Sequence, residues 1–302
     1  MHGAQSRGGW QRGPVDDLLH RHGAVLFRGF ELADLAQFDE ATAALIREPG
    51  TFLEESSSRT RLTDISFTST DYPARYGIQF HSEYSYSDTW PARLVFGCLV
   101  PPGSGGTTLL SDTRRVLRRL PEERLPEFVR LGIRYQRNIT NLGVAWSVAF
   151  GTENPDEVER ACNARGIQWR WSPAGLHTTQ YADAVVRHPA AGELCWFNHA
   201  LIFNVHGLEP ESLREALLDV GADMRSSDTS LGDGTTLDAE TVDLIRQAYA
   251  AEAAAVEWRR GDVLVIDNMI TAHARAPYRG DRRIVVSMGD PVHRRSLRAV
   301  SG

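Results

Sequence analysis

His81 and Glu83 stand one residue apart in Gln79-Phe80-His81-Ser82-Glu83-Tyr84-Ser85-Tyr86, and His273 follows nearly two hundred residues later in Asp267-Asn268-Met269-Ile270-Thr271-Ala272-His273-Ala274-Arg275. On an extended strand successive side chains point to opposite faces, so His-x-Glu places an imidazole and a carboxylate on one face, about 7 Å apart at the backbone. A fold that uses them as a set has to bring the distal histidine beside them. Two histidines and one carboxylate on one face of an octahedral ion leave three positions open, the arrangement of non-haem Fe(II) oxygenases. Those positions receive a bidentate co-substrate and O2.

The segment after His273 strengthens this pattern. A turn cluster, Pro277-Tyr278-Arg279-Gly280-Asp281, leads into the strand-like Arg282-Arg283-Ile284-Val285-Val286-Ser287-Met288. A hairpin there folds Arg283 back beside His273. A planar guanidinium binds a carboxylate through two parallel hydrogen bonds, which is what an oxygenase chelating a 2-oxo acid needs for the distal carboxylate. Taken alone, Arg283 reads more readily as a solvated strand residue.

Composition narrows the function classes. With 302 residues, 42% of them hydrophobic, the chain can bury a large core, and a single domain spanning 1–302 is expected. The net charge of -6 argues against nucleic acid or an anionic membrane as partner, because both are bound through basic surface. All 33 basic residues are Arg, a compositional bias with little mechanistic content. Cys98, Cys162 and Cys195 are widely spaced and odd in number, which predicts buried free thiols. Met1–Gly9 lacks the apolar stretch of a signal peptide, and no run reaches the roughly 18 residues of a membrane span. A cytoplasmic protein is the expectation.

Hydrophobic periodicity predicts a helix over 14–22, a strand over 24–30 and an amphipathic helix over 33–47, an α/β entry to the fold. Strands follow at 78–84, 93–100, 107–111, 181–187, 193–197, 256–258, 263–267 and 282–288. Helices are expected at 121–131, 155–165, 210–219 and 238–254, the last capped by Asp238. The stretches 138–143 and 226–234 read as polar loops. The fold class is therefore α+β, with a distorted double-stranded β-helix (jelly roll) core and helical insertions. The region within 120–258 lies between the two halves of the metal set, where a lid or substrate insertion is expected. Ser104-Gly105-Gly106-Thr107-Thr108 lacks the spacing and the Lys of a phosphate loop, and a turn is the simpler reading.

These residues also carry a family resemblance. In four blocks from about Gly23 to Pro291, the chain resembles the taurine dioxygenase-like (TauD/TfdA) group of Fe(II)/2-oxoglutarate-dependent oxygenases. It is most similar to the tailoring hydroxylases of nonribosomal peptide assembly. The blocks are Gly23–Phe30, Phe80 to Thr108, Val186 to His199, and Gly261 to Met288. The resemblance implies that His81, Glu83 and His273 bind iron and that Arg283 and Thr108 bind 2-oxoglutarate. Glu in place of the commoner Asp matches the assembly-line branch. Ser287 stands where sulfonate-handling members carry a second Arg, which argues against a taurine-like substrate.

The implied activity is hydroxylation of an unactivated C–H bond, at the β-carbon of an amino acid or of an aminoacyl group on a peptidyl carrier protein. Fe(II) is the cofactor; 2-oxoglutarate and O2 are the co-substrates. Desaturation or ring closure needs only a different fate for the substrate radical. Other classes remain open: a metal-dependent hydrolase or isomerase on a cupin-like barrel, and a non-catalytic metabolite-binding barrel. Tyr84, Tyr86, Asn198, His199 and Arg275 are the candidate substrate contacts.

Overall fold

The computed structural model describes residues 12–30, 32–54, 56–57, 59–140, 144–219, 225–297 and 300. Its centre is a five-stranded antiparallel sheet in the order Ala24–Phe27, Val263–Asp267, Thr89–Val100, Arg283–His293, Phe67–Thr68. A second antiparallel sheet runs Ala253–Val256, Thr108–Asp112, Thr271–Arg275, Ile78–His81. The fold is thus a mixture of helices and antiparallel sheets, as the α+β expectation required.

Strand alternation explains the layering. Leu94, Phe96, Leu264, Ile266, Ile284, Val286 and Met288 of the first sheet join one core with Phe80, Ala272 and Ala274 of the second. Their neighbours Val95, Val263, Val265 and Val285 point the other way, into a separate cluster with Val15 and Leu19 of the helix Arg12–His22 and Phe38 and Leu45 of the helix Leu35–Leu45. The five-stranded sheet is covered on both faces, so Val263–Asp267 is buried throughout and reads in sequence as an unbroken apolar run. Gly97 matters here: a Cβ would run into the ring of Phe38, which is fully buried.

Several elements depart from expectation. The region 120–258 is not mainly helical, for it holds a third antiparallel sheet in the order Ser227–Leu231, Ile133–Thr140, Gly175–Ala182, Gln168–Ser172. Asn138–Thr140 and Ser227–Leu231, expected as loops, are strand instead: Ser227–Leu231 pairs with Ile133–Arg137, and Asn138–Thr140 with Gly175–His177. Their Ser, Thr and Asn content favours turns locally, whereas their ladder partners lie far along the chain, which no local window sees. The rest of the first expected loop, 141–143, lies outside the described residues. Thr113–Arg119 is a helix that went unpredicted, capped by the Asp112 side chain on Arg114 N. The helix expected at 121–131 shortens to Leu125–Leu131, and that at 238–254 to Ala239–Ala251, where Asp238 accepts from Thr241 N as anticipated. Cys98, Cys162 and Cys195 are buried and free. Among the described residues no helix is long and apolar enough to cross a membrane.

The Gly105-Gly106 turn bears on the site directly. Ser104–Gly105 pairs with Tyr278–Arg279, and Gly106 N donates to Pro277 O at 2.9 Å. Gly105 has φ +67°, and a Cβ there would collide with the Pro277 carbonyl oxygen. Two rigid obstacles, backbone sterics and a positive φ, act at one position. Gly105→Ala is expected to lower stability by about 1–3 kcal/mol, read from urea midpoints at constant m-value.

Candidate functional site

His81 ends the strand Ile78–His81, and its Cα faces that of His273 across the antiparallel ladder. This pairing brings the two imidazoles to a centroid distance of 4.3 Å. Glu83 does not lie on the strand, because the ladder stops at His81 and the chain turns, with Ser85 N on Ser82 O at 3.2 Å and Tyr84 at φ +55°. The expected strand to residue 84 is therefore too long. The carboxylate nevertheless converges on the histidines: Glu83 Oε1 lies 3.4 Å from His81 Nε2 and 3.5 Å from His273 Nε2. The ligand atoms of all three residues lie within 4.8 Å of one another.

Asn268 holds this turn in place. Its fully buried side chain accepts from Glu83 N at 2.8 Å and donates to Glu83 O at 2.9 Å and to Pro91 O at 2.8 Å. A second residue with no local signal in the sequence, Arg59, donates from Nη2 to Glu83 Oε1 at 2.5 Å and from Nη1 to Met288 Sδ at 3.1 Å. Burial alone would raise the Glu83 carboxyl, but Arg59 and both imidazoles outweigh it and hold the group well below the ordinary range. Burial and the neighbouring His81 push His273 down to about 4, so it is neutral at pH 7.

Ring orientation suits a metal. His81 Nδ1 lies 2.8 Å from Gln79 O, a carbonyl that can only accept, so Nδ1 donates there and Nε2 is the nitrogen turned toward Glu83. Two imidazole nitrogens and one carboxylate are a donor set that fits a first-row divalent ion such as Fe(II).

Two pockets meet at this set. The first is lined by Arg59, His81, Glu83, Thr108, His273 and Arg282, with Arg275, Phe96, Ile284 and Val286 also in its wall. Thr108 Oγ1 is fixed by Trp258 Nε1 at 3.0 Å. The second pocket, about 250 Å³, shares His81 and Glu83 and is walled by His199, Ile202, Phe203, Tyr72 and Ser227, with Glu209 at its rim. Among the described residues, Arg59, Thr108, His273 and Arg282 line only the first.

Arg283 is not in the first pocket. Its side chain is exposed and lines a surface groove with Asp34 and Leu35, on the helix side of the sheet. Alternation is the reason: Ile284 and Val286 face the core and the pocket, Arg282 is in phase with them, and Arg283 is in phase with Val285 beneath the helices. The apolar positions 284, 286 and 288 carried this signal in sequence. Arg282 donates to Ser69 Oγ at 3.2 Å, and burial lowers its pKa to about 10.

The candidate substrate contacts divide in the same way. Among Tyr84, Tyr86, Asn198, His199 and Arg275, only His199 lines the second pocket. Tyr84 packs on Phe52; Tyr86 donates to Glu54 O at 2.6 Å and packs edge-on against His199. Asn198 bonds to Ala184 O and accepts from Ala200 N. Arg275 lies in the first pocket, bonded to backbone carbonyls. His199 Nδ1 is 2.6 Å from Ser85 Oγ, and burial, then His81, holds this ring well below its usual pKa and hence neutral.

A family model described as "Taurine catabolism dioxygenase TauD, TfdA family" matches residues 4–288. The chain is 35% identical over 282 residues to the dapdiamide synthesis protein DdaC of Enterobacter agglomerans, covering 93% of this chain and 86% of that protein. It is 29% identical over 291 residues to a clavaminate synthase-like protein of Arabidopsis thaliana, covering 92% and 84%. Among solved structures, PvcB of Pseudomonas aeruginosa, an Fe, alpha-ketoglutarate dependent oxygenase from an isonitrile synthetic pathway, aligns with TM-score 0.55 at 17% identity over 94% of this chain and 82% of that one. An asparagine oxygenase in complex with Fe(II), 3-hydroxyasparagine and succinate aligns with TM-score 0.56 at 15% identity over 91% and 78%. At such identities the structural likeness speaks to the fold.

Asn268→Ala removes three buried hydrogen bonds and leaves Glu83 N, Glu83 O and Pro91 O without these partners. The expected loss is about 3 kcal/mol or more in denaturant unfolding, with weakened Mn(II) binding in the fraction that stays folded.

Proposed function

This chain belongs to the TauD, TfdA family of dioxygenases, and from that premise we propose that it is an Fe(II)- and 2-oxoglutarate-dependent oxygenase that hydroxylates an amino acid or a carrier-tethered aminoacyl group. The observation that carries the reading is the His81, Glu83 and His273 set in a pocket that Arg282 and Thr108 also line. His81, Glu83 and His273 would hold the iron. Thr108 and Arg282 would hold the distal carboxylate of 2-oxoglutarate, in place of the Arg283 that spacing suggested. Bound there, iron with 2-oxoglutarate and O2 supplies an oxidant able to take hydrogen from an unactivated carbon, with succinate and CO2 as the co-substrate's products.

The protein's part is placement and exclusion of water. The strands Ile78–His81 and Thr271–Arg275 fix the two imidazoles through their ladder, and Asn268 fixes the turn that carries Glu83. The second pocket is the substrate chamber in this reading. Ile202 and Phe203 supply apolar walls, while His199, neutral and oriented by Ser85, offers one polar contact. The insertion within 120–258 builds much of this chamber, since His199, Phe203, Glu209 and Ser227 all belong to it. The two sheets that share a core around the metal set serve as the double-stranded β-helix scaffold, with the site at its mouth.

The substrate class draws on the relatives: a dapdiamide synthesis protein on the one hand, and on the other an asparagine oxygenase solved with a product hydroxylated at carbon 3. We place the hydroxylation here at the β-carbon.

His81→Ala, Glu83→Ala and His273→Ala are each expected to abolish turnover in a folded protein, because removing one of three ligands breaks the facial set. Parental product formation by any two of them under saturating Fe(II) rules out the metal assignment. Arg282→Met is expected to raise the 2-oxoglutarate requirement by about 10- to 150-fold, the equivalent of a lost charge-assisted contact. Arg283→Met should titrate like the parent, and a reversed pair of results would return the role to Arg283. Succinate release and substrate mass change, compared for matched free and carrier-loaded amino acids, test the substrate class. Coupled turnover of a simple sulfonate with neither amino-acid form accepted would sink it.

A further inference from the structure

The charges around the first pocket do not balance. Among the described residues, the guanidiniums of Arg59, Arg275 and Arg282 line it against one carboxylate, Glu83. Arg275 donates to the backbone carbonyls of Tyr72, Pro73 and Tyr76 at 3.1, 3.0 and 2.9 Å, which anchor it without offsetting its charge. Arg282 bonds to the Ser69 hydroxyl and lies over the Tyr278 ring, again with a neutral partner. Burial, then Arg275, lowers the pKa of Arg282, as expected of a cavity short of negative charge. Arg59 stands at the His81, Glu83 and His273 set with its side chain 5% exposed, and it shares Glu83 Oε1 with both histidines. A divalent ion placed on Glu83 therefore adds to an excess of buried positive charge, and only an anion joining it restores the balance.

We propose that Arg59 is a positioning residue that makes metal binding depend on the anionic co-substrate: its guanidinium aims the Glu83 carboxylate at His81 and His273, and its charge opposes a divalent ion until a dianion enters the pocket. This rests on the reading of the centre as an iron and 2-oxoglutarate site. Two observations assign the role to Arg59. Its fork spans Glu83 through Nη2 and Met288 through Nη1, so its position is tied to the strand Arg283–His293 as well as to the carboxylate. It also lines the first pocket and not the second, so its charge acts on the co-substrate side.

The test is anaerobic titration of Mn(II), followed by electron paramagnetic resonance, with and without 2-oxoglutarate. In the parent, 2-oxoglutarate is expected to tighten Mn(II) binding by about 5- to 150-fold, the usual range of a coupling between two sites. In Arg59→Gln that tightening should shrink by about tenfold, whereas Arg59→Lys, which keeps the charge, should retain most of it. Thermal melts establish that folded proteins are being compared, and Arg59→Met replaces Arg59→Gln should the latter not fold. Equal tightening in the parent and the neutral variant overturns the inference, as does a neutral variant that binds Mn(II) more weakly with its coupling intact. A parent whose Mn(II) binding ignores 2-oxoglutarate, and which forms no visible chelate band with Fe(II), overturns instead the functional reading beneath it.

Discussion

A single buried carboxylate, that of Glu83, sets the terms for the surrounding structure. Taking an anion out of water is costly unless opposite charge and hydrogen bonds replace the solvent. Here Arg59 supplies the charge, His81 and His273 border the same oxygen, and Asn268 secures the backbone that carries it. Each partner comes from a different stretch of chain. The cost of burying Glu83 thus ties the loop at Arg59, the turn after His81 and the strands around Asn268 and His273 into one arrangement.

The rest of the fold makes that convergence possible. The five-stranded sheet is two-faced, with Val263, Val265 and Val285 under the N-terminal helices and Leu264, Ile266, Ile284 and Val286 toward the second sheet. Because the second sheet carries both His81 and His273 on paired strands, their relative position is set by backbone hydrogen bonds rather than by flexible side chains. Rigid elements of this kind suit a site whose chemistry depends on placement. The third sheet, by contrast, belongs to the 120–258 region, and its Ser227 lines the second pocket.

The two chambers differ in electrostatics as well as in location. Arginines line the first, while among the described residues the second is walled mainly by apolar and hydroxyl-bearing side chains, with neutral His199 beside the metal set and Glu209 at the rim. The arginine-lined pocket and the largely uncharged one thus differ in charge as well as in place. The contrast between Arg282 and Arg283 shows how fine the partition is: of these adjacent residues at the start of a strand, Arg282 lines the first pocket and Arg283 the groove with Asp34 and Leu35.

The sequence by itself determined the ligand types, since His81, Glu83 and His273 carry their chemistry wherever they are placed. It also determined the apolar strand Val263–Asp267, the Asp238 cap and the free cysteines. Those features are local: a residue's side-chain chemistry, an unbroken apolar run, a capping side chain three positions from its donor. Period-two alternation puts Arg282, and not Arg283, in phase with Ile284 and Val286, whereas spacing from His273 points to Arg283. Arg59 and Asn268 act on Glu83 from 24 and 185 positions away, and the strands at 133–140 and 227–231 are polar segments made regular by a distant partner. No local pattern encodes such contacts. Only the tertiary structure decided them, because a buried charge and an unpaired backbone must find partners in space, and the packed chain settles which residues those are.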